Sequence, residues 1–76
     1  MKIEILGMGC AKCKQLYKNA DLAVHELKAD AELVKVEDIG KITEYGIMTT
    51  PAIAVDGKVL STGKLLTKDE IKKLIS

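Results

Sequence analysis

Cys10-Ala11-Lys12-Cys13 constrains this chain more than any other stretch. It holds both cysteines, and it stands where a strand-like run gives way to a helix-like one. Upstream, Lys2-Ile3-Glu4-Ile5-Leu6 is short and apolar, and Gly7-Met8-Gly9 follows it. Downstream, Leu16, Ala20, Val24 and Leu27 recur at helical spacing. On a first helical turn, residues three apart share a face, and their sulfurs come within bonding reach. The unpaired N–H groups and partial positive charge of a helix N-terminus stabilise a thiolate. The cysteine nearer the terminus gains most, so Cys10 is the candidate nucleophile and Cys13 the candidate resolving thiol. Such a pair beside a βαβ pattern reads as a thiol–disulfide redox site. Lys12 lies between the cysteines. A cation there opposes the helix dipole but favours an anionic sulfur, so Lys12 is either a tuning residue or a solvated surface lysine. Lys14 reads as a solvated surface lysine.

Seventy-six residues make one domain, spanning 1–76, near the lower size limit for an independent core. Trp and Phe are absent, so the core must be built from Ile, Leu, Val and Ala. A net charge of +1 offers no basis for binding nucleic acid or an anionic membrane. No apolar stretch approaches ~20 residues, so no membrane span is expected. Glu4 interrupts the apolar run near the N-terminus, no signal peptide is legible, and the cytoplasm is the expected location. There a close cysteine pair is more often catalytic or metal-binding than structural. As a covalent staple it would be weak, since so short a loop contributes roughly 2 kcal/mol.

The rest of the chain reads as alternating elements. Lys2 to Leu6 is a first strand, and a helix runs from Cys10 or Ala11 to Leu27, where Lys28-Ala29-Asp30 breaks it. Leu33 to Val36 is a second strand with Val34 and Val36 on one face. A strand–helix–strand unit of this length implies a right-handed crossover and a parallel pair. Asp38 can cap a short helix through about Tyr45, with Ile39 and Ile42 inward and Gly46 as its stop. Ala52 to Val55 is a buried strand, Asp56-Gly57 a hairpin turn, Lys58 to Ser61 the returning strand, and Gly63 closes it. Thr67-Lys68-Asp69-Glu70 is a capping box that opens a last helix, with Ile71, Leu74 and Ile75 inward. The order βαβαββα predicts an α/β domain. Its sheet is mixed and four-stranded, its helices lie on both faces, and its N-terminal strand is central.

This order, with C-x-x-C at the first strand–helix junction and Thr50-Pro51 before the hairpin, resembles the minimal thioredoxin fold in its glutaredoxin-sized form. It is most similar to the small thioredoxin-like redox-active disulfide proteins of archaea and bacteria. The resemblance covers nearly the whole chain. It rests on Gly7 to Cys13, on Tyr45-Gly46-Ile47-Met48-Thr49-Thr50-Pro51-Ala52 and on Val55-Asp56-Gly57-Lys58-Val59. It implies a thiol–disulfide oxidoreductase with no cofactor beyond the Cys10–Cys13 disulfide, and since nothing in the sequence demands more than one chain, a monomer is expected. Its partners would be disulfide-containing proteins and an external reductase. The resemblance also implies that Pro51 is cis and packs beside the cysteines. The Thr50 backbone would pair with an extended substrate segment by strand addition, and Gly63 would line the same groove. There are departures. No Trp precedes Cys10, neither residue between the cysteines is Pro, and Thr62-Gly63-Lys64 replaces the Gly-Gly-acidic run with which glutaredoxins hold glutathione. These argue against a dedicated glutathione site.

Glu4 stands six positions before Cys10, where thioredoxins carry a buried carboxylate that assists the resolving thiol. Buried there, it could take a proton from Cys13. Otherwise it points to a sheet end or to solvent, because strand alternation does not say which face it takes. His25 lies about four turns along the helix, roughly 20 Å away, so it reads as a surface residue. A rival reading starts from Met8-x-Cys10-x-x-Cys13, the motif of heavy-metal-associated domains and Cu(I) chaperones. That family has the order βαββαβ and ends in a strand, whereas this chain should end in a helix.

Overall fold

The chain folds in the order β1 (Lys2–Leu6), α1 (Ala11–Leu27), β2 (Glu32–Val36), α2 (Ile39–Glu44), β3 (Ala52–Val55), β4 (Lys58–Thr62) and α3 (Lys68–Ile75). This is a computed structural model that describes residues 1–76. The strands form one sheet in the order β2-β1-β3-β4, so the N-terminal strand is interior as its neighbours require. β1 runs parallel to β2, with Leu6 abreast of Val36, and antiparallel to β3. The β3–β4 hairpin turns at Asp56-Gly57, both with positive φ (51 and 83°). That is the twist a two-residue hairpin needs.

Strand alternation sends Ile3, Ile5 and Ile53 to one face. There they pack with Leu16, Ala20 and Ala23 of α1 and Ile71 and Ile75 of α3. Leu6, Val36, Ala52 and Ala54 contribute to a second core, with Ile42 of α2 and Ile47. Helices thus cover both faces. Asn19 of α1 donates to the Leu66 carbonyl (2.8 Å), and Glu26 bridges Lys68 and Lys72 (2.5 and 2.9 Å), which ties α3 to α1.

Two apolar residues expected inside lie outside. Ile39 is 67% exposed because α2 is only six residues long, and its inward side is taken by Ile42. Leu74 is 42% exposed because Ile71 and Ile75, four apart, already form the stripe that meets the sheet. α2 stops as expected at Gly46. The Gly46 N–H bonds to the Thr43 carbonyl (2.8 Å) and the Ile47 N–H to that of Ile42 (3.4 Å). This closure carries Ile47 back onto Ile42, and the chain then proceeds toward Pro51. No helix is long and apolar enough to cross a membrane.

Candidate active site

β1 delivers the chain to the site. The Gly7 N–H donates to the Val36 carbonyl (3.0 Å), which extends the β1–β2 ladder one residue past the strand. Gly9, at φ 87°, turns the chain into α1. Cys10 then occupies the N-cap in extended geometry (φ −68°, ψ 167°). Its sulfur accepts the Cys13 N–H at 3.3 Å, the bond a capping Ser or Asp oxygen ordinarily makes. Cys10 is exposed and Cys13, one turn deeper, is 6% exposed.

This arrangement pushes the two thiols apart in acidity. Cys10 is held below the ordinary cysteine pKa, first by the Cys13 thiol donating to it and then by the Cys13 backbone N–H, with the Lys12 backbone adding. Cys13 is pushed up, first by burial and then by its bond to Cys10, while backbone N–H groups of Cys10 and Gly9 act the other way. Lys12 thus acts on Cys10 through its backbone N–H. Reduced protein given limiting iodoacetamide at neutral pH should be alkylated at Cys10 first. The rate against pH should have its midpoint below the free-thiol value, and mass mapping reads the site. Equal labelling of Cys13 would contradict the division.

Gly7 and Thr50 border the buried thiol, and the turn at Gly63 packs on the Thr49–Pro51 loop. Gly7 backs directly onto Cys13: a Cβ there would overlap its sulfur, and the Thr50 Cβ would lie 3.8 Å from the same point. So Thr50 stands beside the buried thiol. The Thr50–Pro51 peptide is cis, and Pro51 is fully buried. Gly63, at φ 70°, donates its N–H to the Pro51 carbonyl (2.8 Å). A Cβ at Gly63 would meet the Thr49 methyl at 2.6 Å, so the turn after β4 and the Thr49–Pro51 loop fit only with glycine there.

Glu4 is not part of this cluster. It faces α2, opposite to Ile3 and Ile5, and is 7% exposed. Solvent does not satisfy it: the Tyr45 hydroxyl donates to its Oε1. The same carboxylate pushes the Tyr45 pKa up. Neither expectation for Glu4 describes this position, since it reaches neither Cys13 nor open solvent. Tyr45 was legible only as the end of a helix, although a carboxylate on a buried strand always calls for such a donor. His25 is exposed, paired with Asp21 on its own helix. Tyr17 packs against the α1-side core with the Lys35 ammonium 4.7 Å from its ring centroid.

The fold bears on the metal reading. The chain ends in α3 and has the order βαβαββα, not βαββαβ. The two thiols also have no third His, Cys, Asp or Glu grouped with them. Comparison with known proteins points the same way as the geometry. A family model described as a thioredoxin domain matches residues 1–76. The chain is 47% identical over 76 residues to a thioredoxin of Methanothermobacter thermautotrophicus, covering all of this chain and 99% of that protein. It is 45% identical over 71 residues to a thioredoxin of Methanocaldococcus jannaschii, covering 93% of this chain and 81% of that protein. With its two thiols at the cap of the first helix and its sheet in the order β2-β1-β3-β4, this chain belongs to the thioredoxin-domain family.

Proposed function

We propose that the protein is a monomeric cytoplasmic thiol–disulfide oxidoreductase that reduces protein disulfides through Cys10 and Cys13. The observation that carries this is the pairing of an exposed, acidified N-cap thiol with a buried one that holds its proton. Cys10 as thiolate attacks one sulfur of a substrate disulfide. A Cys10–substrate bond forms, the substrate bond breaks, and one substrate thiolate leaves and takes a proton from water. Cys13 loses its proton and attacks the Cys10 sulfur. The Cys10–Cys13 bond forms and the second substrate thiolate leaves. Two electrons pass to the substrate, and an external dithiol reductase returns them to the pair. No resident cofactor is needed.

Substrate would lie along the exposed Thr50 backbone, with Pro51 and Gly63 forming the floor of the groove. Met8 and Met48, 61% and 98% exposed, flank it in sequence. Flexible thioether side chains suit a surface that meets varied partners. The reduction potential is expected within roughly −180 to −270 mV, the span of related dithiol proteins. The test is reduction of insulin disulfides with dithiothreitol as donor. Cys10→Ser should lose the protein-dependent rate at least about 100-fold while its fold is kept, because the remaining thiol, Cys13, is buried and holds its proton. A Cys10→Ser protein as active as the parent would refute the reading.

A further inference from the structure

The mechanism leaves one proton without a destination. Cys13 must lose it before attacking, and Cys13 is almost wholly shielded from solvent. Burial also favours its protonated form. Glu4, the carboxylate aligned in sequence for this task, is bonded to Tyr45 on the α2 face. A different carboxylate is near.

We infer that Glu37, just past the end of β2, accepts the Cys13 proton through water in the cavity behind the first turn of α1. This rests on the oxidoreductase reading above. The cavity has a volume of about 40 Å³ and is lined by Ile5, Gly7, Gly9, Cys13, Lys14, Lys35 and Glu37. A water needs roughly 10–15 Å³ of such space, so one fits. The register explains why Glu37 is there: Leu6 lies abreast of Val36, so the next residues, Gly7 and Glu37, leave the sheet side by side. A Cβ at Gly9 would lie 3.1 Å from Glu37 Oε2, so the carboxylate rests over Gly9. The Cys13 sulfur lies against Gly7, two residues earlier in the same turn. Carboxylate and thiol thus border the same Gly7–Gly9 turn and the same cavity.

The other charged groups facing the cavity are Lys14 from α1 and Lys35 from β2, with Cys10 in contact with Cys13 itself. An ammonium has no lone pair and accepts nothing. Glu37 is the one lining side chain able to take a proton as the thiol gives it up. In the step proposed, the Cys13 S–H bond breaks and its proton moves by way of water to the Glu37 carboxylate. The Cys13 sulfur then bonds to Cys10, and the Cys10–substrate bond breaks with its electron pair on the departing thiolate. During reduction of the pair, Glu37 returns the proton to Cys13.

Stopped-flow mixing of the reduced protein with one equivalent of 5,5′-dithiobis(2-nitrobenzoate) separates the two steps. The first thionitrobenzoate released reports attack by Cys10, and the second reports attack by Cys13 on the mixed disulfide. With Glu37→Gln, the first phase should stay within about twofold of the parent. The second should slow about tenfold or more at pH 7, and its rate should rise tenfold per pH unit as hydroxide replaces the lost acceptor. Glu37 is exposed, so the variant should keep the parent's fold, checked by circular dichroism. A second phase unchanged in rate and pH profile would overturn the inference, as would a slow second phase in Glu4→Gln alone. Loss of the first phase in the parent protein would instead overturn the oxidoreductase reading.

Discussion

Replacing Cys13 by serine is expected to arrest the reaction at the mixed disulfide. A serine hydroxyl does not attack a disulfide, so the Cys10–substrate bond has no internal route to resolution. Cys10 itself should remain competent. The backbone N–H at position 13 still reaches its sulfur from 3.3 Å, and a serine O–H can donate where the thiol did. Turnover with protein disulfides should therefore fall on the order of 10³-fold, because the two groups act as a unit. The first attack should stay near its parent rate. Mass spectrometry under non-reducing conditions should show one substrate chain attached per protein, bonded at Cys10. Cys10→Ser should capture none. The asymmetry matters more than either loss alone, since a site with interchangeable cysteines would trap substrate equally from both sides. A Cys13→Ser protein that turns over within tenfold of the parent would mean that Cys13 is not the resolving thiol.

The placement of the two cysteines, one exposed at the helix cap and one buried a turn deeper, was legible in the sequence, because it depends only on position along the helix. The element order was legible for a similar reason: caps, the Asp56-Gly57 turn and apolar periodicity are local. What stayed hidden was spatial. Alternation along β1 separates Ile3 and Ile5 from Glu4 and Leu6, but it does not say which set meets α1. That choice is made by where the crossover helix packs, and it sent Glu4 to Tyr45. Ile39 and Leu74 were misplaced because a helical stripe says which residues share a side, not how much of the sheet a short helix can cover. Glu37 carried no signal in its own neighbourhood. Its place beside the Cys13 cavity follows from the parallel register of β1 and β2, a relation between residues about thirty positions apart in the chain.

Gly7→Ala should cost both stability and the second chemical step. Gly7-Met8-Gly9 reads in sequence as a turn in which glycine permits close approach to a partner, and the partner at Gly7 is the Cys13 thiol. An added methyl would overlap the sulfur outright, while its distance to the Cys13 Cβ, 3.2 Å, is tight but tolerable. The strain is therefore centred on one atom. Overpacking of this kind costs about 1–3 kcal/mol. A domain of this length has on the order of 4–11 kcal/mol to lose, so the variant should still fold and its kinetics can be read. Moving the thiol aside by about an ångström should slow its attack on Cys10 roughly 100-fold, with the first attack little changed. The atom responsible can be isolated by a double-mutant cycle in urea. In a Cys13→Ala background the sulfur is gone, so Gly7→Ala should cost at least about 1 kcal/mol less than in the parent. Equal cost in the two backgrounds would place the strain in the backbone and not at the thiol. Glycine at position 7 would then serve only the turn, and the tight seat of Cys13 would have to come from Thr50 and the cavity walls.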